Sequence, residues 1–172
     1  GTFIKWNPAV KTEKDKEGLW KALLDDRIDV IATDHAPHTL EEKKQVYTKA
    51  PSGGPLVQHA ISALFTAHRH GKISVEKIVE KMCHNPAKIF KIEKRGFIKK
   101  GYFADLVLVD IASPWTVNKT NILYKCGWSP FEGTTFYSKV THTFVNGNLI
   151  YNNGKFNDII KGQRLLFNRT NV

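Results

Sequence analysis

The stretch Ile28-Asp29-Val30-Ile31-Ala32-Thr33-Asp34-His35-Ala36-Pro37-His38 decides how the rest of the chain is read. Residues 28–33 are β-rich and mostly apolar, the composition of a short strand buried in a parallel sheet. Asp34 ends the run, so the side chains of residues 34–38 are presented at the strand's C-terminal end, where α/β barrels carry their chemistry. A carboxylate and two imidazoles this close together can ligate a divalent metal or work as an acid/base pair, because carboxylate and imidazole are common ligands of zinc and non-haem metals. An Asp-His turn also makes good local caps, so composition alone leaves both readings open.

Working outward, Phe3 to Trp6 reads as a short strand stopped by Asn7-Pro8, since the residue before proline is pushed out of the α region. Thr12 stands three residues before Asp15 and ahead of Leu19, Trp20, Leu23 and Leu24, which predicts a capped helix over 13–25. Residues 35–54, with Pro37, Pro51 and the turn Ser52-Gly53-Gly54-Pro55, read as a long loop of the functional or mobile kind. Helical periodicity resumes over 56–70 and closes at Gly71. Ser74 caps a further helix through Ile78, Val79 and Met82, and Asn85-Pro86 reads as the N-cap and first residue of a short one. Beyond residue 95 the chain turns to β-runs at 105–110, 139–145 and 148–151, and Asn146-Gly147 between the last two is a type I′ hairpin signal. No internal repeat of fixed period is present.

At 172 residues with 41% hydrophobic and 24% charged residues, the chain can bury a real core and is neither disordered nor of low complexity. Its net charge of +10 is concentrated in the last two thirds: residues 1–50 hold nine Lys/Arg and nine Asp/Glu, residues 111–172 seven and two. Those cations are scattered singly or in pairs such as Lys99-Lys100, which reads as a solvated basic surface and not a nucleic-acid interface. Cys83 and Cys126 form neither a disulfide framework nor a thiolate zinc site, so a reducing cytoplasm is expected. Apolar runs such as Leu106 to Val109 are far below the ~20 residues that span a bilayer, and no signal peptide or anchor is visible, so no membrane partner is expected. Gly stands at position 1 and the sole Met is Met82, which leads us to expect a piece of a longer protein.

The run Ala32-Thr33-Asp34-His35-Ala36-Pro37-His38, with Lys43 five residues on, resembles the signature [GA]-[ST]-D-x-A-P-H-x4-K of the dihydroorotases in the amidohydrolase superfamily, matching at every specified position. Lys5-Trp6-Asn7-Pro8-Ala9-Val10-Lys11 is similar to that family's K-x-N-P-P-L-R stretch, with Ala9 for Pro and Lys11 for Arg. Ala50-Pro51-Ser52-Gly53 is similar to its A-P-F-G loop, with Ser52 for Phe. Gly101 to Asp110 resembles the G-x-x-A-D-L-V-L-V-D strand of the small β-domain beside the barrel.

The resemblance implies an α/β fold: the C-terminal part of a metal-dependent (β/α)8 TIM barrel over residues 1–95, plus a small β-sandwich domain and C-terminal tail over 96–172. It implies that Asp34 is both catalytic and a metal ligand, touching one of two zinc ions and carrying a proton from the activated water to the departing ring nitrogen. His38 and Asn7 would bind substrate, His38 at the carboxylate, and Ser52 and Gly53 would offer backbone groups to the ring edge. The Ser52 substitution keeps that backbone role but removes apolar cover. The family's H-x-H-x-R motif, its carbamylated lysine and two later histidines belong to earlier strands and do not occur in this chain, so the chain alone is expected to be inactive. The implied substrates are (S)-dihydroorotate and N-carbamoyl-L-aspartate of pyrimidine biosynthesis. The implied partners are the missing N-terminal part of the barrel and a homodimer mate or aspartate carbamoyltransferase.

Other histidines read as structural: His68 and His70 at a helix C-terminus suited to its dipole, His59 and His84 near helix ends, His142 on a strand. His35 reads as a structural or supporting neighbour of Asp34, Cys83 as a buried inert thiol, and Trp128 as a packing residue. Two other functions remain open: a hydantoinase- or allantoinase-like cyclic amidase, and a non-catalytic scaffold, against which retention of Asp34 argues mildly.

Overall fold

The computed structural model describes residues 1–168; the last four residues of the 96–172 span lie outside the described residues. The chain opens with a 3-10 turn over Thr2–Ile4, where a strand is expected, because Ile4 and Lys5 N–H groups close back on Gly1 and Thr2 carbonyls. Helix α1 (Glu13–Leu24) starts at the expected capping box: the Thr12 hydroxyl accepts from Asp15 N–H and the Asp15 carboxylate accepts from Thr12 N–H. Its inner face supplies Trp20 and Leu23 to a core with Ile28, Ile31, Leu64, Ile73, Ile78 and Met82.

Residues 28–33 do not form a ladder. Ile28 N–H donates to Ala22 O and Ile31 N–H to Lys81 O, and no neighbouring strand lies beside them among the described residues. A strand is defined by its partners, so apolar composition alone could not make one here. An isolated parallel bridge follows between His35 and Gly54.

The expected 35–54 loop contains helix α2 (Leu40–Lys43), started by a second capping box between Thr39 and Glu42. Helix α3 (Ala60–Arg69) begins later than periodicity suggests, since residues 57–59 form a turn ahead of it, and its last turn carries the basic residues His68 and Arg69 as expected. Ser74 caps helix α4 (Val75–Val79) through Lys77 N–H as expected. The chain then does not stop at Asn85: it runs through a π-helical turn (Glu80–His84) into helix α5 (Asn85–Ile89). Pro86 lacks an N–H and crowds the preceding turn, and a widened turn accommodates both effects. Asn85 is helical and its side chain donates to Asp29 O instead of capping. The same widening departs from the 3.6-residue period, and Cys83 is exposed rather than buried.

The tail is all-β as expected. Strands β1 (Leu106–Asp110), β4 (Lys139–Val145), β5 (Asn148–Asn152) and β6 (Lys155–Phe156) form an antiparallel sheet in the order β1-β4-β5-β6, and β2 (Trp115–Thr116) pairs with β3 (Thr135–Phe136). Asn146 and Gly147 both have positive φ (52° and 81°), as a type I′ turn requires. This turn is anchored from below: Arg95 is ion-paired to Asp105 and donates to Asn146 Oδ1 at 2.6 Å, while Asn146 N–H donates to Asp105 Oδ1 at 2.8 Å.

Candidate active site

The expected site residues occupy two facing loops, with Asn7 on the N-terminal segment beside them. Ala36 N–H donates to Gly54 O at 3.2 Å, and Lys5 O accepts from Gly53 N–H at 2.8 Å, so the 34–38 turn, the 50–54 loop and the N-terminal segment meet edge to edge. Gly53 has φ +103°, and a Cβ there would lie 2.7 Å from the Ala36 methyl. A Cβ on Gly54 would meet the Trp6 ring at 2.9 Å. Side chains packed hard against the loop leave no room for a Cβ at either position, and the positive φ at Gly53 favours glycine independently.

Within that contact, His38 Nε2–H donates to Ser52 O at 3.1 Å, and its Nδ1 stands 3.8 Å from a Glu42 carboxylate oxygen. The structure therefore brings His38, Ser52 and Gly53 together. Asn7 follows Trp6 directly, is exposed, and has no hydrogen-bond partner among the described residues. Asp34 is likewise exposed and partnerless among them, and it sits in the left-handed region at φ 41°, which Asp tolerates better than most residues. Its carboxylate is thus free to engage something outside this chain.

Three residues that sequence reasoning did not assign to this site hold it together. Lys43, fully buried, donates to Pro51 O at 2.9 Å and Gly53 O at 2.7 Å, and its ammonium lies 5.8 Å from the Trp128 ring centre. Burial, and secondarily the nearby Lys5 ammonium, pull its pKa below the usual lysine value. Lys5 in turn donates to Tyr47 O and Ala50 O, each at 2.7 Å. Trp128, 2% exposed, donates its indole N–H to His38 O at 2.8 Å. The signature flagged Lys43 as a position, but a lysine after two glutamates in a short helix carries no mark of burial.

His35 has a structural task. Its Nδ1 accepts from both Leu56 N–H (3.1 Å) and Val57 N–H (3.2 Å), tying the signature turn to the approach of α3, and its ring meets Tyr124 edge-on. His59, just before α3, is fully buried in a box of Trp115, Tyr124, Phe131 and Phe136. Its Nδ1 shares a hydrogen bond with the Ser129 hydroxyl at 3.2 Å, its Nε2 has no partner among the described residues, and burial depresses its pKa to about 4.

Among the described residues no three His, Cys, Asp or Glu side chains converge as a metal site. The exposed Asp34 carboxylate fits one ligand of a shared metal centre, not a whole centre. An apolar groove of about 350 Å³ lies elsewhere, between α1 and residues 28–32, lined by Leu19, Trp20, Leu23, Ile28 and Ile31. No helix among the described residues is long and apolar enough to cross a membrane.

With this geometry in hand, the chain can be compared with known proteins. The Amidohydrolase family matches residues 8–150, and the chain belongs to that family. Within it the chain is dihydroorotase-like: it is 37% identical to the dihydroorotase of Pyrococcus furiosus over 164 residues (95% of this chain, 38% of the relative) and 42% identical to that of Halobacterium salinarum over 133 residues (77% and 32%). Among solved structures it superposes on the L-hydantoinase (dihydropyrimidinase) of Arthrobacter aurescens with a TM-score of 0.83 at 27% identity, covering 91% of this chain and 36% of that one. The dihydropyrimidinase of Brevibacillus agri gives 0.80 at 27%, covering 90% and 35%. The chain matches part of a TIM-barrel amidohydrolase fold, and it spans about a third of the length of these relatives.

Proposed function

We propose that this chain is the C-terminal portion of a dihydroorotase, which interconverts (S)-dihydroorotate and N-carbamoyl-L-aspartate in pyrimidine biosynthesis. The observation that carries the reading is the apposition of the Asp34–His38 turn and the Ser52–Gly53 loop, with His38 Nε2 on Ser52 O. Residues 1–95 take the last strand and helix positions of the barrel, with residues 28–33 pairing to strands supplied by the rest of the barrel, and residues 96–172 contribute a small β-sandwich domain whose four-stranded sheet is one layer.

Asp34 is the ligand this chain contributes to a zinc pair, the remaining ligands coming from the rest of the barrel. Bound zinc supplies Lewis acidity that polarises the amide carbonyl and acidifies water. The exposed Asp34 carboxylate takes one proton from the attacking water and returns it to the ring nitrogen as the C–N bond breaks, while the water oxygen stays on the acyl carbon as the new carboxyl group of N-carbamoyl-L-aspartate, whose remaining proton is released to solvent. His38 and Asn7 bind the substrate, His38 at its carboxylate. Of the Ser52 and Gly53 backbone groups, Ser52 O, Gly53 N–H and Gly53 O already hold the loop, so the Ser52 N–H is the donor left for the ring edge. Alone, the chain turns over nothing, because one carboxylate cannot retain a metal pair. The intact protein is cytoplasmic and acts as a homodimer or beside aspartate carbamoyltransferase.

The hydantoinase structures with TM-scores near 0.8 favour a second reading, a cyclic amidase of neutral rings. The deciding experiment is dihydroorotate and hydantoin hydrolysis by the intact zinc-loaded polypeptide beside its Asp34→Ala and His38→Ala variants. Dihydroorotate turnover lost with Asp34 and selectively weakened with His38 is expected. Faster turnover of hydantoin than of dihydroorotate would transfer the assignment to the second reading.

A further inference from the structure

We propose that Lys43 is a positioning residue for this site: its buried ammonium clamps the Pro51 and Gly53 carbonyls and thereby aims and polarises the Ser52 N–H toward an oxygen of the cyclic amide substrate. The inference rests on the functional reading above and deepens it.

Lys43 is 0% exposed, yet no carboxylate pairs with it among the described residues. An ammonium buried without a counter-ion is unfavourable, and a methionine of similar reach would fill the same space without that cost. What only the cation supplies is a pair of charge-assisted hydrogen bonds to two carbonyls of one loop, on either side of Ser52. The peptide unit is planar and trans, so its N–H points opposite to its C=O. With Pro51 O drawn onto Lys43 at 2.9 Å, the Ser52 N–H of the same peptide faces away from the lysine, and it has no partner among the described residues. A cation on the carbonyl oxygen withdraws electron density across the peptide and strengthens that N–H as a donor. The far side of Ser52 is held equally: Gly53 O is on Lys43, Gly53 N–H is on Lys5 O and Ser52 O is on His38 Nε2. Trp128 closes the lysine's other side and fixes His38 through its carbonyl. Ser52 is thus a donor on a loop whose freedom has been removed beforehand, which is how a site lowers the cost of binding.

The test compares Lys43→Met, Lys43→Gln and Lys43→Arg with wild type in the intact zinc-loaded polypeptide. The readouts are kcat and KM for dihydroorotate and amide hydrogen exchange of residues 50–54. KM is expected to rise about tenfold in the Met and Gln variants, with part of the loss recovered by Arg, and the Gly53 amide to exchange about tenfold faster while amides of α3 are unchanged. A merely structural lysine would lower kcat through the active fraction at unchanged KM and speed exchange in α3 and the loop together; that result overturns the proposal. If Lys43→Met does not fold, the Gln and Arg variants carry the same comparison. In wild type alone, a Gly53 amide exchanging as fast as an exposed one also overturns it. A wild type that leaves dihydroorotate untouched defeats the functional reading instead, and the exchange data still decide whether Lys43 holds the loop.

Discussion

The Trp128 indole N–H donates to the His38 carbonyl at 2.8 Å, joining residues ninety positions apart in the chain. The donor is in the irregular segment between β2 and β3 and the acceptor is in the signature turn, so the β-rich half of the chain sets the position of His38. The same ring packs edge-on against Phe3 and borders Gly54. Trp128→Phe keeps most of the packing and deletes the hydrogen bond, which is worth about 1 kcal/mol in a part-buried setting. Urea unfolding should register that loss together with a raised KM for dihydroorotate in the intact protein. A Trp128→Phe variant with wild-type KM would mean that His38 is placed without it.

Gly53 combines φ +103° with an Ala36 methyl 2.7 Å from where its Cβ would stand. Gly53→Ala therefore meets both backbone strain and a backbone-borne neighbour that cannot rotate away, and should cost about 1–3 kcal/mol. Thermal unfolding measures the cost, and Ala36→Gly in the same background should recover part of it by removing the methyl. No recovery would assign the whole effect to φ.

His35 accepts two backbone hydrogen bonds, from Leu56 and Val57. Removing the acceptor in His35→Ala leaves both donors without it and should destabilise the protein by about 1–2 kcal/mol, comparable to loss of a helix cap. Zinc content of the intact protein should not change, because the side chain is already engaged with the backbone. Loss of metal in His35→Ala with undiminished stability would make it a ligand after all.

His59 titrates in a direction whose consequence can be worked out. Its folded pKa is depressed from 6.5 to about 4 by burial, so between those values the unfolded chain binds a proton that the folded chain refuses. This contribution to stability is present in full above pH 6.5, falls as the pH drops, and is gone below about pH 4. The shift corresponds to roughly 3 kcal/mol at most. Denaturant unfolding across that pH window should show a shallower acid loss in His59→Phe than in wild type. Parallel pH profiles would show that the imidazole is not what weakens the fold in acid.

Local chemistry was legible where a few neighbouring residues suffice. Thr12 with Asp15, Ser74 with Lys77 N–H, and Asn146-Gly147 form the caps and the turn that their side chains and φ preferences dictate. The signature 32–38 with Lys43 likewise identified the family from residue types alone. Residues 28–33 show where this ends: their apolar, β-branched composition suits a strand, but a ladder needs partners, and the described residues provide none.

The sequence by itself therefore determined the Thr12 and Ser74 caps, the hairpin turn, the β character of the tail and the family to which Asp34 and His38 point, because each depends on side chains within a few positions of one another. Tertiary structure alone decided that Lys43 is buried, that Lys5 and Lys43 hold the 47–53 carbonyls, that Trp128 fixes His38, and which backbone and aromatic groups His35 and His59 engage. Burial and carbonyl direction arise from contacts between distant segments, and a lysine's charge reads the same in sequence whether water or peptide oxygen surrounds it.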